Sequence, residues 1–160
     1  MIRTCEPRDA AAICKIYNYY VRDTVVTFEE REVDAAEMAA RIAAVTAQHP
    51  WLVREVDGLV VGFAYAAPWK TRSAYRFALE TTVYLAPEHA GQGHGLALYQ
   101  ELLARLRALN IHCAIGGIAL PNDASVGLHE KLGFRRIGQF AEVGWKFDRW
   151  IDVGYWELLL

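Results

Sequence analysis

The sequence has little that would place it in a membrane or on a nucleic acid. None of its apolar stretches approaches the roughly 18 residues that a membrane-spanning helix needs. Its first residues, MIRTCEPRD, also lack the apolar core of a signal peptide. The formal net charge is −2, and the basic residues are scattered along the chain rather than clustered. We therefore expect a soluble, cytoplasmic protein that binds neither membranes nor nucleic acids.

Cysteine is also scarce. The three cysteines are an odd number, and none of them belongs to a C-x-x-C pair. The sequence therefore predicts neither a disulfide framework nor a zinc site. The histidines do not show the spacing of metal ligands, so we expect no bound metal.

The remaining composition is that of a globular chain. Apolar residues make up 54% of the sequence and charged residues 22%, and no linker, repeat or low-complexity segment interrupts the pattern. We predict a single domain spanning residues 1–160 with a mixed α+β fold in which strands outnumber helices. The predicted elements, in order, are a strand at 2–5, a helix after Asp9, a helix after Asp34, a hairpin around Asp57-Gly58, a strand at 77–85, a long helix ending near Asn110, a strand in IHCAIGGIAL, a short helix at 122–132, and two strands at 136–143 and 153–159.

Three closely spaced glycines occur in the stretch LAPEHAGQGHGLALYQELLARL, between a β-like run and a helical run. A helix N-terminus has unpaired N–H donors, and glycines let an anion approach them closely. The dinucleotide fingerprint GxGxxG fails, because leucines stand where its third glycine is required, and no Gly-Lys-[Ser/Thr] of a phosphate-binding loop is present. Taken alone, the loop is either an anion site or a tight turn without a ligand.

The motifs around this loop decide between the two interpretations. The order of strand, glycine loop, long helix, strand and PNDASVGLHEKLGF resembles the GNAT acyl-CoA N-acetyltransferases, whose motif [Gln/Arg]-x-x-Gly-x-[Gly/Ala] aligns with residues 90–95. The segments HPWLVREVDG, YAAPWKTRSAY, LETTVYLAPEH and GWKFDRWIDVGYWEL resemble, in order along nearly the whole chain, phosphinothricin and methionine sulfoximine (sulfone) acetyltransferases.

The resemblance implies a three-layer fold with a twisted, mostly antiparallel sheet flanked by helices. It implies transfer of an acetyl group from acetyl-CoA to the α-amino group of a small amino-acid-like substrate. The transfer is direct, within a ternary complex, because no activated nucleophile is evident. It also implies a homodimer, for which the aromatic C-terminal strands with Trp145, Trp150, Tyr155 and Trp156 offer apolar surface.

The same resemblance assigns acetyl-CoA contacts to three parts of the chain. The strand before the glycine loop pairs through its backbone with the pantetheine arm, the loop binds the pyrophosphate, and a residue after the next strand hydrogen-bonds the cofactor. These residues are Val83, Tyr84 and Leu85, then Gly91, Gln92, Gly93, His94, Gly95 and Leu96, and finally Asn122. Ala90 stands where the family has Gln or Arg, so we expect weaker binding of acetyl-CoA than in the family.

Two residues are candidates for proton transfer. Glu80 precedes the cofactor strand residues, and a part-buried carboxylate beside an amine can take its proton. The alternative is a glutamate held in a salt bridge at a strand edge. His129 lies where many family members carry a tyrosine that protonates the leaving thiolate, and imidazole chemistry suits that role. The alternative is a structural histidine beside the pocket.

Substrate recognition is assigned to PWKTRSAYRF. An amino-acid substrate brings a carboxylate, and phosphinothricin adds a phosphinate, so cationic donors are required. The matching residues are Lys70, Thr71, Arg72 and Phe77, with Trp69 and Tyr75 as further walls; ordinary surface charge and core aromatics are the alternative.

Two rival functions remain open. The same fold can acetylate another amine, a protein N-terminus or a polyamine, although Lys70 and Arg72 would repel a polycation. A non-catalytic acyl-CoA-binding module is the rival from another class.

Overall fold

The computed structural model describes residues 1–160 and contains one sheet with helices on both of its faces. The strands are β1 (Ile2–Thr4), β2 (Trp51–Val56), β3 (Leu59–Pro68), β4 (Ala78–Leu85), β5 (Cys113–Ala119), β6 (Arg135–Lys146) and β7 (Arg149–Leu159). The helices are α1 (Ala10–Asp23), α2 (Ala35–Thr46), α3 (His94–Ala108) and α4 (Asp123–Lys131).

The seven strands lie in the order β1-β2-β3-β4-β5-β7-β6. Only β4 and β5 run parallel, and every other neighbouring pair is antiparallel. The predicted α+β class with a mostly antiparallel sheet is confirmed.

Alternation along the strands divides the core into two layers. Leu52 on β2 packs with α3 on one face, and its neighbour Val53 packs with α1 and α2 on the other. Successive side chains of a strand point to opposite faces, so each inner strand contributes to both layers. Ile13 of α1 and Leu102 of α3, both fully buried, mark the two layers.

Turn and cap chemistry explains several element boundaries. Asp57 and Gly58 between β2 and β3 have φ values of 49° and 79°, as a type I′ hairpin turn requires. The Asp34 carboxylate accepts a hydrogen bond from the Glu37 amide at 2.8 Å and so caps α2. Gly133 follows α4 with a φ of 92°, the usual conformation of a residue that ends a helix. These predicted boundaries are confirmed.

The prediction for the C-terminal strands was wrong in their extent. β6 and β7 form one long hairpin whose turn is Phe147-Asp148, with φ values of 52° and 54°. Asp148 is the only typical turn residue there, and without a neighbouring glycine or asparagine it was a weak signal. Trp156, expected at the surface, is only 2% exposed, and its indole N–H donates to Glu130 at 3.2 Å.

The structure contains no membrane-spanning helix, no cluster of metal-ligating side chains and no disulfide. No helix combines the length and apolar character needed to cross a membrane. No three His, Cys, Asp or Glu side chains gather where they could hold a metal ion. The three cysteines are unpaired.

Candidate active site

Strands β4 and β5 separate shortly after they begin to pair. Their register runs only from Ala78 opposite Cys113 to Glu80 opposite Ile115. Beyond that point β4 continues to Leu85 while paired on its other side with β3. A cleft therefore opens in the middle of the sheet, with strand backbone along its walls.

The β4 backbone presents hydrogen-bonding groups to this cleft. The amide of Ala86 donates to the Val61 carbonyl at 2.9 Å, and residues of an antiparallel strand alternate in the side to which their N–H and C=O point. Thr81, Val83 and Leu85 therefore direct theirs away from β3. The Leu85 carbonyl already accepts a hydrogen bond from the Tyr20 hydroxyl at 2.6 Å, so the free donors and acceptors lie deeper, toward Val83.

A cavity of about 410 Å³ occupies the cleft. Of the predicted site residues, five line it together: Glu80, Val83, Tyr84, Asn122 and His129. Its other walls come from the segment between α1 and α2 (Val26, Thr27, Phe28), from the end of β5, and from β6 and β7 (Val143, Val153, Tyr155).

The predicted glycine loop lies outside this lining, at the N-terminus of α3. Gly91 and Gly93 have φ values of 74° and 83°, a conformation that glycine adopts without strain. Gly93 is the N-cap residue of α3, and no side chain caps the helix there. The first amides of α3, from His94 to Leu96, therefore have no partner within the helix, which is the arrangement that binds a phosphate. The residues present fit the pyrophosphate of a CoA molecule.

The structure does not bring the predicted substrate residues into the cavity wall. Lys70, Thr71, Arg72 and Phe77 are exposed in the segment between β3 and β4. Lys70 is linked to the cavity indirectly. Its ammonium lies 4.8 Å above the Trp69 ring, and Trp69 packs edge-on against Tyr155, a cavity residue, with 5.3 Å between ring centroids.

Glu80 has an unpaired, half-buried carboxylate in the cavity wall. It forms neither a hydrogen bond nor a salt bridge, in contrast to the nine glutamates and aspartates that pair with arginines. Burial raises the pKa of Glu80 above its usual value, and the positive charge of Lys70 partly offsets that increase. A carboxylate with a raised pKa is a stronger base than an exposed one.

His129 is buried, with 4% of its surface exposed. Its Nδ1 lies 2.7 Å from the Ser125 carbonyl oxygen, which can only accept, so the proton of the neutral ring is on Nδ1 and Nε2 is an acceptor. The Tyr99 hydroxyl lies 2.9 Å from Nε2 and donates to it. Burial lowers the pKa of His129, while the hydrogen bond to Ser125 opposes that shift.

The hydrogen-bond chain continues to the cavity through Thr81. The Thr81 hydroxyl contacts the Tyr99 hydroxyl and lies 3.3 Å from the Ile115 carbonyl. Sequence reasoning missed both residues, because Tyr99 falls on the apolar stripe of α3 and Thr81 on a strand rich in β-branched residues. A hydroxyl-bearing side chain inside an otherwise apolar stripe was the signal that could have identified Tyr99.

Two adjacent glycines of β5 separate Glu80 from His129. A Cβ atom on Gly116 would lie 2.5 Å from Nε2 of His129, and one on Gly117 would lie 3.3 Å from Oε1 of Glu80. Because neighbouring strand residues face opposite sides, the imidazole and the carboxylate approach β5 from opposite faces of the sheet.

The parted strands and the glycine loop at the start of α3 agree with the comparison to known proteins. A family model described as an acetyltransferase (GNAT) domain matches residues 2–154. The chain belongs to the GNAT acetyltransferase family. The predicted resemblance is confirmed.

Relatives of this GNAT acetyltransferase match it along nearly its whole length. It is 40% identical over 156 residues to the phosphinothricin N-acetyltransferase of Streptomyces viridochromogenes, covering 98% of this chain and 85% of that one. It is 36% identical over 160 residues to the L-methionine sulfoximine/L-methionine sulfone acetyltransferase of Salmonella typhimurium, covering 99% and 94%. The crystal structure of a phosphinothricin acetyltransferase from Sinorhizobium meliloti in complex with acetyl-CoA matches with a TM-score of 0.97 and 36% identity, covering 100% of this chain and 88% of that one.

Proposed function

We propose that this GNAT acetyltransferase transfers the acetyl group of acetyl-CoA to the α-amino group of a small amino-acid-like substrate of the phosphinothricin, methionine sulfoximine or methionine sulfone type. The observation that carries the proposal is the cleft between β4 and β5, which holds free strand backbone and an unpaired carboxylate, Glu80, in one cavity. The names of the relatives supply the substrate class.

The chain offers acetyl-CoA two kinds of backbone donor. The amides at the N-terminus of α3 donate hydrogen bonds to the pyrophosphate, and the β4 edge around Val83 pairs with the pantetheine arm. Acetyl-CoA supplies the activated acyl group when bound. An N–H of the β4 edge, aimed into the cleft, stabilises negative charge on the carbonyl oxygen of that group. Asn122 uses its side-chain oxygen to cap α4, accepting from the Ser125 amide at 3.1 Å, and has its side-chain N–H groups left for the cofactor.

Glu80 is the proposed general base. Its carboxylate has no partner within the protein, so it is free to accept a proton from the substrate amine, directly or through one water. Transfer is direct, because the cavity wall contains no activated nucleophile. Cys113 lies outside the cavity lining, and burial raises its pKa, which disfavours the thiolate.

His129 is proposed to serve the departing thiolate through its neighbours rather than by direct contact. The Tyr99 hydroxyl can donate to the neutral ring or accept from the protonated one. The series of hydrogen bonds therefore accommodates both protonation states of His129. If Nε2 of the neutral ring first took up a proton from solvent, that proton would pass to Tyr99 while Tyr99 passed its own to Thr81 and Thr81 gave its proton to the sulfur, and the ring would return to its neutral form with the proton on Nδ1. This order leaves both hydroxyl groups neutral, which matters because burial raises the pKa of Tyr99.

Lys70 and Arg72 are proposed to attract the anionic groups of the substrate at the mouth of the cavity. Lys70 is connected to the cavity through Trp69 and Tyr155, and its charge already acts on Glu80. Thr71 and Phe77 complete this proposed substrate surface. Arg72 has the planar fork that binds a carboxylate or phosphinate in a bidentate manner.

We further propose a homodimer that works in the cytoplasm. The β6–β7 hairpin exposes Phe140, Val143, Trp145, Phe147 and Trp150, each at least half exposed. Such a patch favours a second copy as its partner. The three cysteines of the chain are unpaired, which suits a reducing compartment such as the cytoplasm. Sedimentation of the wild type and of Trp150→Glu tests the dimer: a dimer that the substitution converts to monomers supports it, and a monomeric wild type contradicts it.

The substrate proposal is tested by CoA release from acetyl-CoA with a panel of amines. Phosphinothricin, methionine sulfoximine and methionine sulfone form one group, and ordinary amino acids, spermidine and short peptides form the other. Saturable release with the first group alone is expected. Release with spermidine or peptides instead would assign another amine, and acetyl-CoA binding without any release would support a non-catalytic module.

A further inference from the structure

Lys146, near the end of β6, is a buried cation that the proposed reaction does not use. Only 1% of its surface is exposed, and its ammonium donates one hydrogen bond, to the Thr27 carbonyl at 2.9 Å. No carboxylate lies within salt-bridge distance of it. An ammonium group buried without a counter-ion in contact is costly, so this position calls for a role that an apolar side chain would not fill.

The acceptor belongs to the segment between α1 and α2, residues 24–33, which we call the substrate loop. Three of its side chains, Val26, Thr27 and Phe28, line the cavity. Its other attachments lead to the helices. Thr27 bonds to the Tyr17 hydroxyl at 2.8 Å, and Glu29 forms a two-point salt bridge with Arg41 at 2.6 and 2.8 Å.

Lys146 supplies the hydrogen bond that joins this loop to the β6–β7 hairpin, which forms another part of the cavity wall. A second contact lies two residues earlier on the same strand. A Cβ atom on Gly144 would overlap the ring of Phe28, so the ring rests directly on the Gly144 backbone. Residues two apart on a strand share a face, and Gly144 and Lys146 together form the surface on which the loop lies.

We infer that Lys146 is a positioning residue that holds the substrate loop against β6 and thereby fixes Phe28 over the amine side of the cavity. The inference rests on the proposed function, in that the amine enters beneath this loop. No hydrogen bond joins this loop to the glycine loop before α3, so its position is expected to govern the amine and to leave the pyrophosphate site of the cofactor unaffected.

The kinetic test is Lys146→Met, which keeps the length of the side chain and removes its charge and its donors. The expected result is a KM for the amine raised about tenfold, as for loss of a hydrogen bond to a charged group, with KM for acetyl-CoA unchanged. The midpoint of urea unfolding stays the same or rises, because the cost of burying the ammonium disappears. Lys15→Met, at an exposed lysine of α1 with no partner, is the control and leaves both KM values unchanged.

A lower unfolding midpoint with an unchanged KM for the amine would show a merely structural lysine and overturn the inference. Gly144→Ala provides a second variant, since its methyl group must displace the Phe28 ring. A raised KM for the amine is expected there too. An unchanged KM would count against the attachment of the substrate loop to β6, which we call the clamp.

Hydrogen exchange tests the clamp without any substrate. The amides of Val26, Glu29 and Val33 are held by side-chain acceptors within or beside the loop. Lys146→Met is expected to speed exchange in peptides covering residues 24–33 and to leave α2 unchanged. Unchanged exchange in the loop overturns the clamp. A wild type inactive on every amine, together with faster loop exchange in the variant, would instead refute the proposed function and keep the clamp.

Discussion

The hydroxyl of Tyr99 lies 2.9 Å from Nε2 of His129, and both side chains are buried. With Nδ1 committed to the Ser125 carbonyl at 2.7 Å, this contact fixes the tautomer of the ring. It also connects α3 with α4 beneath the cavity, so the orientation of His129 depends on two helices and not on its own helix alone.

Removing the Tyr99 hydroxyl is expected to reduce catalysis more than binding. Tyr99→Phe leaves Nε2 of His129 without its donor and breaks the route to Thr81. We expect kcat to fall by about tenfold to a hundredfold with the KM values nearly unchanged, as for loss of proton transfer. Tyr19→Phe, which removes a hydroxyl that makes no hydrogen bond, is the control. Wild-type kcat in Tyr99→Phe would exclude the route.

The buried state of His129 predicts a dependence of stability on pH. Its pKa in the folded chain is below the ordinary value, which is about 6.5 in an unfolded chain. As the pH falls below 6.5, the unfolded chain takes up the proton first, so the free energy of unfolding decreases until the pKa of the folded state is reached.

Urea unfolding of the wild type and of His129→Asn at pH 7.5 and 5.5 measures this contribution. The wild type should lose more stability over that interval than the variant, by at most about 1.4 kcal/mol per pH unit for one proton. Other groups titrate equally in both proteins and cancel in the comparison. Equal losses in the two proteins would mean that the pKa of His129 is the same in the folded and the unfolded chain, which contradicts the lowered pKa.

A methyl group at Gly116 should displace the imidazole. The Cβ of Gly116→Ala would lie 2.5 Å from Nε2 of His129, and crowding of this kind costs about 1–3 kcal/mol of stability. We expect lower stability together with lower kcat. Gly127→Ala on α4 has open space around its Cβ and should be neutral or stabilising, by up to about 1 kcal/mol. Wild-type activity in Gly116→Ala would show that catalysis does not depend on the position of the His129 imidazole.

The glycine loop can be tested against a matched glycine elsewhere. Gly93 and Gly58 have similar φ values, 83° and 79°, and neither has an atom within 4 Å of a new Cβ. An alanine at either position costs about 1 kcal/mol through backbone strain. Only Gly93→Ala should also raise the Kd for acetyl-CoA measured by calorimetry. An equal Kd for acetyl-CoA in the two variants would mean that the pyrophosphate does not bind at the glycine loop.

Much of the fold follows from local signals in the sequence. The Asp57-Gly58 turn, the Asp34 cap and Gly133 mark boundaries that the structure reproduces. The Phe147-Asp148 turn did not follow, because its residues adopt left-handed backbone conformations without glycine. Long-range packing rather than local preference determines that turn.

The site was predictable only in part. The family resemblance pointed to Glu80, Asn122 and His129, which the structure brings to one cavity. Tyr99 and Thr81 were not predicted, because their contacts with His129 and with each other form only where α3, α4 and β4 meet in the folded chain. No single segment of the sequence shows that meeting point. Lys146 looks like any charged residue of an exposed hairpin until the substrate loop is placed over it. The roles of Lys70, Thr71, Arg72 and Phe77 stay predictions.

The central claim is that the cleft between β4 and β5 catalyses acetyl transfer with Glu80 as its base. The most direct measurement compares the wild type with Glu80→Gln, combining calorimetry of acetyl-CoA binding with CoA release in the presence of methionine sulfone. We expect an unchanged Kd and a kcat lowered by about a hundredfold or more. Wild-type turnover in Glu80→Gln, with binding intact, would contradict it.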